Sequence, residues 1–86
     1  MVEVKFVADA MVGKLARWLR VLGFDVVYSS TFSDDEVVRL AEAEGRVMLT
    51  RDARLVSRRK LPQFLLIESD HYKEQVRQVL RTFNLK

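Results

Sequence analysis

The chain has 86 residues, with 15 Lys and Arg against 12 Asp and Glu, a net charge of +3, and 49% apolar residues; this is room for one domain, residues 1–86, and too apolar for a disordered tail. Cysteine is absent and histidine occurs once, which excludes a disulfide scaffold, a thiol nucleophile and a zinc site built on Cys, and argues against a Ser-His pair. Any chemistry therefore falls to carboxylates and basic groups.

In chain order, residues 2–8 are β-branched and aromatic with partial alternation and read as a strand. Asp9 stands where an N-cap would, and residues 10–22 place Met11, Leu15, Trp18, Leu19 and Leu22 at helical spacing, so Trp18 is expected to pack in the core. Gly23 stops that helix. Residues 25–29 form a second short strand. Ser33 and Glu36 have the spacing of a capping box, opening a helix that Gly45 ends. Residues 46–50 are nearly all apolar in their middle, which suits a strand buried on both faces. After Asp52 a short basic helix runs from residue 53 to about 60, where Pro62 breaks it. Residues 63–67 read as a fourth buried strand. Ser69 or Asp70 caps a last helix with Tyr72, Val76, Val79, Leu80 and Phe83 on one face, and His71 reads as an exposed first-turn residue with no special role.

Strands that alternate with helices argue a parallel α/β sheet with helices on both faces. The expected strand order is 2-1-3-4, and ligands of such sheets bind beyond the carboxyl ends of the strands where the order reverses. No stretch is long and apolar enough to span a membrane or to form a signal peptide, so a cytoplasmic or nucleoid-associated location without membrane association is expected. So short a sheet leaves helix faces thinly covered, an expectation of a homodimer.

The acids follow this frame. Asp9 ends the first strand, Asp52 lies just past the third, Asp70 past the fourth, and Asp34 and Asp35 open the helix after the second. For any one of them, capping or the helix dipole is a sufficient reason, contributing about 0.5–2 kcal/mol. Together they face one edge, with Asp9 and Asp52 flanking the reversal. Carboxylates that share a crevice repel each other, and a divalent cation relieves the repulsion. Oxygen donors without Cys or His point to Mg²⁺ or Mn²⁺. Lys14 and Arg17 lie on the helix after Asp9, and Arg51, Arg54, Arg58, Arg59 and Lys60 follow the third strand. A carboxylate pocket rimmed by cations suits a phosphodiester substrate. Arg20, Arg39, Arg77 and Arg81 read as solvated helix faces. Thr50 and Ser69 carry hydroxyls that can orient a neighbouring carboxylate or bond to backbone. Tyr28 and Phe32 flank the loop before Asp34.

The segments Phe6-Val-Ala-Asp9, Gly13-Lys-Leu-Ala-Arg-Trp-Leu-Arg20, Leu22-Gly23, Asp34 before a helix, Gly45-Arg-Val-Met-Leu-Thr-Arg-Asp52 and Leu66-Ile-Glu-Ser-Asp70 together resemble the Mut-seven C-terminal RNase domain, a branch of the PIN-like nucleases. The resemblance covers nearly the whole chain. It implies a PIN-like three-layer sandwich and a metal-dependent ribonuclease that takes RNA. It also implies catalytic and metal-holding roles for Asp9, Asp34 and Asp52, a fourth metal position at Asp70, and substrate contacts for Lys14, Arg17 and Arg51. Such domains are commonly followed by a Cys-rich zinc ribbon, for which this sequence has no cysteine. Two other classes stay open: an RNA-binding module that cleaves nothing, carried by the basic helix, and a phospho-acceptor domain with acids after strands one and three.

Overall fold

The computed structural model describes residues 3–58 and 63–85. The elements are β1 (Lys5–Ala8), a 3-10 turn (Ala10–Val12), α1 (Gly13–Val21), β2 (Asp25–Tyr28), α2 (Asp34–Glu44), β3 (Val47–Thr50), α3 (Ala53–Arg58), β4 (Phe64–Leu66) and α4 (Tyr72–Thr82). All strands are parallel, in the order β2-β1-β3-β4. That is the order expected from the sequence.

Strand length is set by the partners. β1 pairs from Lys5 with Asp25 of β2 and from Phe6 with Val47 of β3. Before those partners the chain has just left Gly23 and Gly45, both with positive φ (97° and 63°), a conformation glycine adopts without a Cβ penalty. The strand expected from residue 2 therefore starts at Lys5, residue 2 itself lying outside the described residues.

Two apolar clusters divide the strand residues. Phe6, Ala8 and Leu49 join Leu15, Ala16 and Leu19 of α1 and Val79 of α4. Val7 and Met48 join Val37, Val38 and Ala41 of α2 and Leu55 of α3. Successive strand residues point to opposite sides, so this division accords with helices on both faces. β3 is buried along its whole length, as its apolar run suggests.

Several expectations change. The helix expected from residue 10 begins as a 3-10 turn and becomes α-helical at Gly13, because a short loop must carry the chain from the strand end across to the helix layer. β4 is an edge strand, its Phe64 exposed and Leu65 and Leu66 half-buried, so it is not the buried strand that its composition suggests. Its neighbour on one side only is β3. Trp18 is 40% exposed, and Met11 and Leu22 are more exposed still; Leu15, Ala16 and Leu19 already fill the seam under α1. α4 is capped by His71 rather than Ser69 or Asp70. The His71 ring nitrogen Nδ1 accepts from the Lys73 amide at 3.3 Å, while Ser69 Oγ accepts from the His71 amide at 3.0 Å. The capping box of α2 forms in both directions, Glu36 N–H to Ser33 Oγ and Ser33 N–H to Glu36 Oε1. The end of the basic helix near residue 60, and Pro62, lie outside the described residues.

At the edge of the sheet where β2 and β3 begin, Arg46 is a buried arginine. Its Nη1 donates to the Phe6 carbonyl at 3.0 Å and to Asp25 Oδ1 at 2.9 Å, and its Nε donates to Glu44 Oε1 at 2.6 Å. Burial lowers the guanidinium pKa, but the hydrogen bonds to Glu44 and Asp25 outweigh it and leave the pKa above its ordinary value. One side chain thus ties β1, β2 and the α2–β3 turn together.

Candidate functional site

β1 and β3 lie side by side in the middle of the sheet, and each delivers an acid just past its carboxyl end. Asp9 is only 5% exposed. Its Oδ1 accepts from the Met11 amide at 2.9 Å, which caps the 3-10 turn, and its Oδ2 accepts from the buried Thr50 hydroxyl. The Asp9 amide in turn donates to the Leu49 carbonyl at 3.1 Å. The carboxylate is therefore held on both oxygens and by its own backbone. Charge-assisted bonds of this kind offset the cost of placing a carboxylate out of water.

Asp52 is half-buried. Its amide donates to Thr50 Oγ1 at 3.0 Å, and its Oδ1 accepts from the Arg54 and Leu55 amides at 3.0 and 3.2 Å. It caps α3. The hydroxyl of Thr50 thus touches both acids: it donates to one side chain and accepts from the backbone of the other. The sequence pointed to this hydroxyl as one that can orient a carboxylate.

The other acids follow the outer strands. Asp34 is the first residue of α2 and is exposed, as is Asp35 beside it. Asp70 is exposed and lines a hollow of about 240 Å³ with Lys14, His71, Tyr72 and Gln75. All five acids follow the carboxyl ends of parallel strands, so they share one edge of the sheet. The Thr50 hydroxyl links only Asp9 and Asp52. Among the described residues, no three acidic or histidine side chains form a group that could hold a metal ion as they stand.

Of the expected basic residues, Lys14, Arg17, Arg51 and Arg54 are exposed. Lys14 Nζ sits 4.8 Å from the centre of the Tyr72 ring. Arg54, its side chain 90% exposed, has Nε 3.9 Å from Asp52 Oδ1. Arg58 ends α3, and its side chain lies outside the described residues, as do Arg59 and Lys60 altogether. Arg20 is tied rather than free: its Nε donates to the Val26 carbonyl at 2.9 Å. A family model described as the Mut7-C RNAse domain matches residues 4–86.

The chain belongs to the Mut7-C RNAse domain family. No curated protein and no solved structure matches it.

In this Mut7-C RNAse domain the donor chemistry fits a hard divalent cation. Asp9 and Asp52 offer carboxylate oxygens on adjacent strand ends, with no sulfur and no nitrogen donor between them. Magnesium is commonly held by one or two carboxylates, with water and substrate phosphate completing its shell. Each Asp9 oxygen has a second lone pair beyond the one hydrogen bond it accepts, whereas Asp52 Oδ1 already accepts two backbone amides.

Sequence reading missed two features. One is Arg46, read as the first residue of a strand. The other is a run of three rings. His71 and Tyr72 stack at 5.4 Å and 12°, and Tyr72 and Trp18 at 5.7 Å and 11°. The available signal was an apolar stripe on α1 wider than a single packing seam needs, with Met11, Trp18 and Leu22 beside Leu15 and Leu19.

Proposed function

We propose that this domain is a metal-dependent ribonuclease that hydrolyses RNA phosphodiester bonds at the edge carrying Asp9 and Asp52. The single observation that carries the reading is the Asp9–Thr50–Asp52 arrangement: two acids from adjacent central strands, joined through one buried hydroxyl. Membership of an RNAse domain family supports the same reading.

In this reading Asp9 and Asp52, with Asp34 and Asp70, would hold Mg²⁺ or Mn²⁺. When bound, the cation lowers the pKa of a coordinated water and stabilises charge on the phosphoryl oxygens. The protein's own residues do the remaining work. Thr50 fixes the Asp9 carboxylate in one orientation. Lys14, Arg17, Arg51, Arg54 and Arg58 hold the substrate phosphates by charge. The RNA lies over the carboxyl ends of β1 and β3, where the strand order reverses.

Labelled RNA incubated with Mg²⁺, with EDTA, and with the Asp9→Asn protein tests this. Cleavage in Mg²⁺ that EDTA and Asp9→Asn each abolish is the expected result. Cleavage that survives both overturns it.

The second reading is a domain that binds RNA and cleaves nothing. The observation in its favour is that no three acidic or histidine side chains among the described residues form a group that could hold a metal ion. It predicts salt-sensitive RNA binding that Asp9→Asn leaves intact, with no turnover in any metal.

A further inference from the structure

The three stacked rings lie beside the carboxylate edge rather than within the core. Trp18 is 40% exposed and His71 is exposed, with Tyr72 half-buried between them. Two hollows meet at Tyr72. One, of about 240 Å³, reaches Met11 and Val12 of the turn that Asp9 caps. The other, of about 340 Å³, runs along Trp18 and Leu22 toward Lys73 and Arg77. The two hollows thus lie on either side of Tyr72 along the seam of α1 and α4, and form the trough.

We propose that this trough is the track for the single-stranded part of an RNA substrate, its bases stacking on His71 and Trp18. The proposal rests on the ribonuclease reading for its direction toward Asp9, but not for the binding itself. Two observations carry it. The ring planes are near-parallel, which is the geometry of a run of stacked bases. Aromatic surface is interleaved with cations, Lys14 over Tyr72 and Lys73 with Arg77 along the lower hollow. Stacking on exposed rings within a basic groove is how sequence-tolerant single-strand binders work. The cations also decide the occupant. Lys14, Lys73 and Arg77, the last paired with Glu74, line the hollows against a single acid, Asp70, an excess of positive charge that a polyphosphate backbone neutralises.

Trp18 is the only tryptophan of the chain, so its fluorescence reports on the trough alone. A decamer of oligoadenylate is titrated in EDTA, where the proposed cleavage is off. The expected result is saturable quenching of Trp18, absent with the same strand in a duplex. Anisotropy of labelled decamer should show His71→Asn and Trp18→Ala weakening binding by roughly tenfold each. Trp18→Phe should retain most of the affinity. Asn is itself a good N-cap, so His71→Asn removes the ring and keeps the start of α4. Binding without quenching, or unchanged in both ring variants, overturns the track even where the protein cleaves RNA. Quenching by a protein that never cleaves leaves the track standing and removes the nuclease. A Trp18→Ala protein that binds RNA normally but changes from dimer to monomer in sedimentation makes the face a self-interface and overturns the proposal.

Discussion

Thr50 donates its hydroxyl proton to Asp9 across the β1–β3 seam and accepts the amide of Asp52 on the same oxygen. No other side chain among those described bonds to both acids. Thr50→Val keeps the buried shape and removes the donor, leaving one Asp9 oxygen without its partner. Stability is expected to fall by about 1–3 kcal/mol, read as a lower thermal midpoint. RNA cleavage should fall with it by at least tenfold, and Thr50→Ser should recover most of both.

Asp52 has two duties that can be separated. It caps α3 through its Oδ1, and it supplies charge to the proposed metal site. Asn caps nearly as well as Asp, so Asp52→Asn should leave the circular dichroism spectrum and melting temperature close to those of the parent. Cleavage in Mg²⁺ should fall on the order of hundredfold, since a bound cation is worth several kcal/mol of transition-state stabilisation. A protein equally active with Asn at this position would remove Asp52 from the site.

Arg46 lies at the opposite end of the sheet, so its loss tests the scaffold alone. Its carboxylate partners Asp25 and Glu44 are about half-exposed, so solvent screens much of those pairings. The bond to the buried Phe6 carbonyl is the costlier loss. Arg46→Met is expected to lower stability by about 2–3 kcal/mol, measured by urea denaturation, with the KM for RNA unchanged in the fraction that stays folded.

Gly13 opens α1 with ordinary helical backbone (φ −62°), where alanine would normally gain about 1 kcal/mol. A Cβ there would meet the Tyr28 ring, with Cζ only 2.6 Å away. The Tyr28 hydroxyl also donates to the Ala10 carbonyl at 3.3 Å. Gly13→Ala should therefore destabilise the domain, by about 1–3 kcal/mol. In a Tyr28→Ala background the same substitution should become neutral or stabilising, a reversal of sign that a double-mutant cycle reads directly.

Hydrogen bonds from the Ser33 backbone and then from its side chain hold Glu36 below its ordinary pKa, with a minor contribution from Arg39. The folded state thus binds a proton at Glu36 less readily than the unfolded chain does. Its contribution to stability is present in full above the ordinary glutamate range and is lost as pH falls through the lowered folded value. Glu36→Gln should flatten the acid limb of stability against pH below the ordinary glutamate range, with little change at pH 7.

Much of this was legible in the residues. The alternation of strand and helix signals, the glycines after α1 and α2, and the Ser33–Glu36 spacing are local properties, and each produced the element it implies. The position of Asp9 and Asp52 on neighbouring strands followed from the strand order. Burial at the sheet margin was not legible, because it depends on what lies alongside. Phe64 has the composition of a core residue and sits on an edge. Trp18 lies on the apolar face of its helix but beyond the reach of the seam that Leu15 and Leu19 fill. Arg46 has the charge of a surface residue, yet turns inward because a strand carbonyl and two acids converge on it. In each case the missing information was a neighbour distant in sequence.

The central position of β1 has a dynamic consequence for the acid it carries. Phe6, Val7 and Ala8 are fully buried and paired on both sides, so this strand belongs to the part of the chain that opens only with the whole domain. Asp9, bonded through its own amide to Leu49, moves with it. Asp34, the first residue of α2, and Asp70, just before α4, are exposed and lie outside the sheet. Amide exchange at Val7 and Asp9 should therefore slow to the rate set by global unfolding, while the turns around Asp34 and Asp70 exchange orders of magnitude sooner. Asp9 is thus as rigid as the fold that carries it, while the exposed acids that follow β2 and β4 are not bound to it in the same way.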